Sequence, residues 1–126
     1  NSPDLMHWSE QVFVPVMAHE PNARNSWAPE IIYDDRSKTY MIYWSTTISG
    51  RFPATDTLGD HDHRIYYTTT KDFKKFSQSK LLYNEGFNVI DATIVKEDNR
   101  YIMFLKDETL KPGRLGLAHH RAPSLT

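Results

Sequence analysis

The sequence predicts an all-β chain built from β-propeller blades, each of four antiparallel strands. Three observations carry that reading. Segments rich in β-branched and aromatic residues succeed one another, separated by clusters of turn-forming residues. No segment sustains apolar residues at i, i+3, i+4 and i+7, so no helix of consequence is expected. Finally, two marks recur: Asp4-Leu5-Met6-His7-Trp8-Ser9 returns as Asp72-Phe73-Lys74-Lys75-Phe76-Ser77, and Tyr40-Met41-Ile42-Tyr43 returns as Tyr101-Ile102-Met103-Phe104, each about 60–70 residues on. A four-stranded antiparallel module of that length is a propeller blade with moderate loops.

The elements follow in order. Residues 1–16 are expected to hold the last strand of one blade. In its Asp-hydrophobe-x-x-aromatic-Ser mark, the Asp accepts backbone N–H bonds in a turn and the aromatic wedges between adjacent blades. Residues 30–34 form a short apolar run ending in the turn cluster Asp34-Asp35-Arg36-Ser37-Lys38. Residues 39–47 read as a mostly buried strand and close a hairpin with it. Residues 63–70 supply a third strand and residues 79–83 a shorter fourth near an edge. Residues 27–83 are therefore one complete blade.

The pattern then restarts. Residues 91–96 resemble the first strand, Glu97-Asp98-Asn99 the turn, residues 101–106 the second strand and residues 115–119 the third. Residues 90–120 thus make most of the next blade. Two and a half blades cannot close a ring and leave apolar faces open, so the rest of the propeller is required, from a longer chain or from associating copies.

Composition narrows the function classes. Fifteen Lys and Arg stand against 16 Asp and Glu, a net charge of −1, which gives no electrostatic case for nucleic acid or an anionic membrane. No apolar run approaches the roughly 18 residues of a membrane helix. The absence of Cys excludes disulfides and thiolate chemistry. Asn1-Ser2-Pro3-Asp4 carries neither an initiator Met nor a signal peptide, so the chain is expected to start inside something longer or after processing. Aromatic residues make up 13% of the chain, a supply of flat faces suited either to sugar rings or to a β-rich core.

At Trp27-Ala28-Pro29-Glu30, at Tyr40-Met41-Ile42-Tyr43-Trp44-Ser45-Thr46 and at Val89-Ile90-Asp91-Ala92-Thr93-Ile94, the sequence resembles glycoside hydrolase family 43. The order of the motifs fits as well: an Asp-Leu-x-x-Trp blade end, a Trp-Ala-Pro-acid strand opening, and an Ile-Asp-x-x-Ile strand opening one blade later. The resemblance runs from Asp4 to about Ala118. It implies a partial five-bladed propeller and an inverting, single-displacement hydrolysis of arabinose- or xylose-containing poly- or oligosaccharides. Inversion needs a carboxylate base for water and a carboxylic acid for the leaving oxygen, roughly 6.5–9.5 Å apart.

By the same resemblance, Asp91 matches a third carboxylate that orients the acid and raises its pKa by like-charge repulsion. The base would lie upstream of Asp4 and the acid beyond Thr126, so these residues alone are expected to be inactive. Glu85-Gly86-Phe87 echoes the acid's setting but precedes Asp91 in a connector and receives no role. Trp27 matches a position lining the sugar pocket. Glu30 heads an inner strand and could bond a sugar hydroxyl or a neighbouring backbone. Arg51 and Phe52, in the loop after the second strand, could reach over the pocket.

No cofactor is required, and an axial calcium known in relatives finds no support in these residues. Asp60-His61-Asp62-His63 holds ligand-type residues with its two His on one face, yet four adjacent residues rarely close a coordination shell, and a polar loop is the plainer reading. His119 and His120 would point to opposite faces of a strand. Lys106-Asp107-Glu108 ends a hairpin as solvated charges. A secreted or periplasmic location follows only from where polysaccharides are found. The competing functions are a carbohydrate-binding propeller without hydrolysis, a propeller for protein contacts, and a fructan-cleaving type of five-bladed enzyme.

Overall fold

The computed structural model describes residues 1–55 and 61–109, and residues 116–122 as backbone strand. Among the described residues, seven strands follow in chain order: β1 (Trp27–Asp34), β2 (Thr39–Thr46), β3 (Arg64–Thr70), β4 (Lys80–Tyr83), β5 (Val89–Glu97), β6 (Arg100–Asp107) and β7 (Gly116–Ala122). They form two antiparallel sheets in simple up-and-down order, β1-β2-β3-β4 and β5-β6-β7. The first has the four strands of a propeller blade and the second has three. Among the described residues no helix is long and apolar enough to cross a membrane.

Turn chemistry explains where the strands stop. The β1–β2 hairpin closes at Asp34↔Thr39, where the Asp34 carboxylate accepts the Arg36 and Ser37 N–H groups at 3.1 and 3.2 Å. In the β5–β6 hairpin, which closes at Glu97↔Arg100, Asp98 takes the left-handed conformation a tight turn needs. The recurring Asp mark is a real structural repeat. Asp4 Oδ1 accepts the Met6 and His7 N–H groups, both at 2.9 Å, and Asp72 Oδ1 accepts those of Lys74 and Lys75 at 2.9 and 3.0 Å. In both turns the next residue is left-handed, Leu5 at φ 63° and Phe73 at φ 56°.

One expectation fails here. Residues 1–16 form no strand, and Trp8 is 65% exposed instead of wedged between blades. A strand needs a ladder partner, and the described residues place none beside this segment. Its end is used differently: Val16 and Met17 pack with Ala23 and Ile42 onto Trp44, Ile48 and Tyr66, covering the outer face of the first blade.

The main core lies between the blades. Met41, Tyr43, Ile65 and Tyr83 of the first blade pack against Val89, Ala92, Tyr101 and Leu105 of the next. Strand alternation sets this division, since Met41 and Tyr43 face the seam while Ile42 and Trp44 face the other way. Polar ties cross the same seam. The Tyr43 hydroxyl donates to Glu30 Oε2 at 2.9 Å and accepts the Ile94 N–H at 3.0 Å, while Thr93 Oγ1 donates to the same Glu30 oxygen at 2.7 Å. Further along, Tyr101 donates to Asp34 and Lys96 pairs with Asp35. Burial, and then the Glu30 carboxylate, push the Tyr43 phenol well above its ordinary pKa, so it stays a donor.

Candidate active site at the heads of the inner strands

The inner strands β1 and β5 open with the same irregularity. Pairing shifts between Trp27 and Glu30 in one and between Ile90 and Thr93 in the other, so two residues face one partner residue. The first residue of each bulge is left-handed: Ala28 at φ 46° and Asp91 at φ 51°. A bulge of this form ordinarily takes Gly at that position. Ladder register makes Ala28 and Asp91 equivalent, along with Trp27 and Ile90, and Glu30 and Thr93. The bulge turns its residue out of the pleat, and the Asp91 side chain is exposed at the strand head.

Trp27, at the head of β1, is 48% exposed on one face. Its other face stacks on the His63 imidazole, with ring centroids 4.8 Å apart and planes 27° apart. His63 itself is 1% exposed, and two amides hold its ring. Asn25 Nδ2 lies 3.0 Å from Nε2, and Asn88 Oδ1 lies 3.3 Å from Nδ1. Backbone groups fix both amides, because Asn25 Oδ1 accepts the Thr47 N–H at 3.0 Å and Asn88 Oδ1 accepts the His63 N–H at 2.9 Å. Nε2 must therefore accept and Nδ1 must donate, which is one tautomer of the neutral ring. Burial lowers the His63 pKa, as does the neighbouring His61; the Asn88 bond and the charges of Glu108 and Asp62 oppose that fall.

The same residues join the blades at this rim. The Val89 N–H donates to the His63 carbonyl at 3.2 Å, and the Glu108 N–H to the Asn88 carbonyl at 3.0 Å. Behind them Arg64, fully buried, donates from Nη1 to Asp62 Oδ1 at 2.6 Å and to the His63 carbonyl at 2.8 Å. Its other nitrogens reach Thr55 and Asn84, both at 2.7 Å, and its guanidinium lies 4.6 Å from the Phe52 ring centroid. A buried charge held by that many partners stiffens the loop that presents His63.

The residues singled out from sequence therefore separate. Trp27 and Asp91 occupy the heads of adjacent inner strands. Glu30 lies in the seam, its Oε2 taken by Tyr43 and Thr93. Arg51 pairs with Glu20 at 2.6 Å, and Phe52 covers Arg64, so both anchor the loop after β2. Asp62 and His63 are buried and not part of a solvated polar loop. Lys106 pairs with Glu108 at 2.6 Å, and that carboxylate first, with Asp91 adding to it, raises the Lys106 pKa. Asp60 and the side chains of His119 and His120 lie outside the described residues.

Residues 1–126 match the family described as "Probable glycosyl hydrolase domain", which is related to glycoside hydrolase family 43. The chain belongs to this family. An alpha-L-arabinofuranosidase of Bifidobacterium longum subsp. longum is 28% identical to this glycosyl hydrolase domain over 116 residues. That match takes in 85% of the chain and 11% of the arabinofuranosidase, so the chain spans about a tenth of its curated relative. The fold is also that of Zg3597, a family 117 glycoside hydrolase of the marine bacterium Zobellia galactanivorans. The TM-score is 0.62 at 13% identity, over 84% of this chain and 37% of that one.

Among the described residues of the domain, no group of three His, Asp or Glu is placed to hold a metal ion. Sequence reasoning missed Asn25, Asn88 and the structural part played by His63. A usable signal was present at Ala28, since aligning Trp27-Ala28-Pro29-Glu30 with Ile90-Asp91-Ala92-Thr93 sets Ala28 opposite Asp91.

Proposed function

We propose that the protein carrying this domain is a glycoside hydrolase that cleaves arabinose- or xylose-containing poly- or oligosaccharides outside the cytoplasm, with inversion at the anomeric carbon. The observation that carries this reading is the exposed, left-handed Asp91 at the bulged head of β5. A strained conformation kept by a charged residue at a strand end is a recurrent feature of functional sites. Likeness to an alpha-L-arabinofuranosidase supports the sugar class.

In this reading Trp27 stacks on a sugar face and Asp91 stands beside a general acid supplied by another blade. Its negative charge keeps that acid protonated near neutral pH until the leaving oxygen takes the proton. A base from a further blade activates the attacking water. Both partners lie outside these residues, so the domain supplies the platform and the orienting charge.

The test is Asp91→Asn in the intact protein. Asn removes the charge and tolerates the left-handed conformation, so the fold should hold. Turnover of arabino- and xylo-oligosaccharides should drop roughly 100-fold or more, the scale of a lost acid–base contribution, with little change in sugar affinity. Unchanged turnover would remove Asp91 from the mechanism. Sugar binding with no turnover in the wild-type protein would favour a binding propeller instead.

A further inference from the structure

His63 carries none of the catalytic or sugar-binding roles discussed above, yet both nitrogens of its buried ring are held at the rim. Its ring lies beneath the covered face of Trp27, at stacking distance. Both ring nitrogens are engaged, by amides that are themselves fixed through backbone N–H groups. Its N–H reaches Asn88, and its carbonyl accepts the Val89 N–H two residues before Asp91. A half-exposed Trp without a backing would turn about its side-chain bonds, and stacking gains little from a face that must first be ordered.

We propose that His63 is a positioning residue, a backing plate that fixes the Trp27 indole face for the sugar and, through Asn88, ties that face to the head of the strand carrying Asp91. This inference rests on the reading of Trp27 as a sugar platform. It adds that platform quality depends on the uncharged form of a buried ring. A proton on His63 would turn Nε2 from acceptor to donor and set it against the Asn25 amide, whose oxygen is held by Thr47. The groups facing the ring are Trp27 from β1, Asn25 and Asn88 from the flanking loops, His61 and Asp62 beside it, and Glu108 after β6. Burial keeps the ring neutral at pH 7, and it charges only below its ordinary value of 6.5.

The experiment uses the intact protein and reads two things. The first is Trp27 emission, taken as the difference between wild type and Trp27→Phe, from pH 8 down to pH 4.5. A stacked imidazolium quenches indole, so the wild-type difference should fall through one titration below pH 6.5. His63→Phe should abolish that titration. The second is affinity for arabinotriose at pH 7. His63→Gln keeps hydrogen-bonding atoms without a stacking ring, and it should weaken binding roughly three- to tenfold, the size of one aromatic contact. Should His63→Gln fail to fold, Asn25→Ala should give a smaller loss in the same direction.

A flat emission difference, or arabinotriose bound equally well by His63→Gln and wild type while Trp27→Ala loses it, would overturn the role of His63. If Trp27→Ala binds arabinotriose as well as wild type does, the platform itself is wrong. The emission titration would still report whether the two rings are paired, so the two failures are distinguishable.

Discussion

At the scale of single residues, the two bulge positions carry the most information. Ala28 and Asp91 share one backbone conformation at equivalent points of successive blades, yet only one brings chemistry with it. An L-residue with Cβ in the left-handed region costs roughly 1–2 kcal/mol, whereas the extra chain entropy Gly loses on folding is about 0.5–1 kcal/mol. Ala28→Gly should therefore stabilise the fold by about 0.5–1 kcal/mol, raising the thermal midpoint without altering activity. A lower midpoint would mean that the left-handed conformation at Ala28 is not strained. Asp91 was legible in the sequence because the apolar residues around it mark a strand opening. Its conformation was not legible, since nothing in Val-Ile-Asp-Ala-Thr-Ile distinguishes a bulge from a regular ladder. His63 was hidden for another reason: its partners Asn25 and Asn88 lie 38 and 25 residues away, on loops without a pattern.

At the scale of elements, the blade order was readable because strand alternation and turn residues are local signals. Each expected strand except the one in residues 1–16 formed, most of them a residue or two longer or shorter than the pattern suggested. The seam between blades was not readable, because register between sheets depends on contacts across more than 50 residues, such as Tyr43 with Ile94. That phenol is 1% exposed and serves a carboxylate and a backbone N–H at once. Tyr43→Phe leaves the Ile94 N–H without an acceptor and Glu30 with one donor fewer, which should cost about 1–3 kcal/mol. Tyr101→Phe removes one bond, to Asp34, at the wetter end of the seam, and should cost about 0.5–1.5 kcal/mol. Denaturant midpoints of the two variants would check the order. Equal losses would mean that Tyr43 does not carry the seam.

At the scale of the whole molecule, the apolar surface is unevenly spread. Leu5, Met6, Trp8, Val12 and Phe13 are 65–87% exposed, all within the segment expected to close a preceding blade. Scattered exposed apolar residues are ordinary, but five in nine consecutive positions make a contact surface. The net charge of −1 offers little repulsion to keep copies apart. Residues 1–126 on their own should therefore self-associate at tens of micromolar, with sedimentation showing species heavier than the 14.7 kDa monomer. Replacing Trp8 and Phe13 by Ser should shift the distribution toward monomer while leaving the melting of the two blades unchanged, since neither side chain belongs to either buried cluster. The same pair of substitutions in the intact protein should lower its stability, because there a neighbouring blade is expected to cover this surface. A monomeric wild-type chain whose intact parent tolerates both substitutions would mean that the segment stands free in the assembled propeller as well.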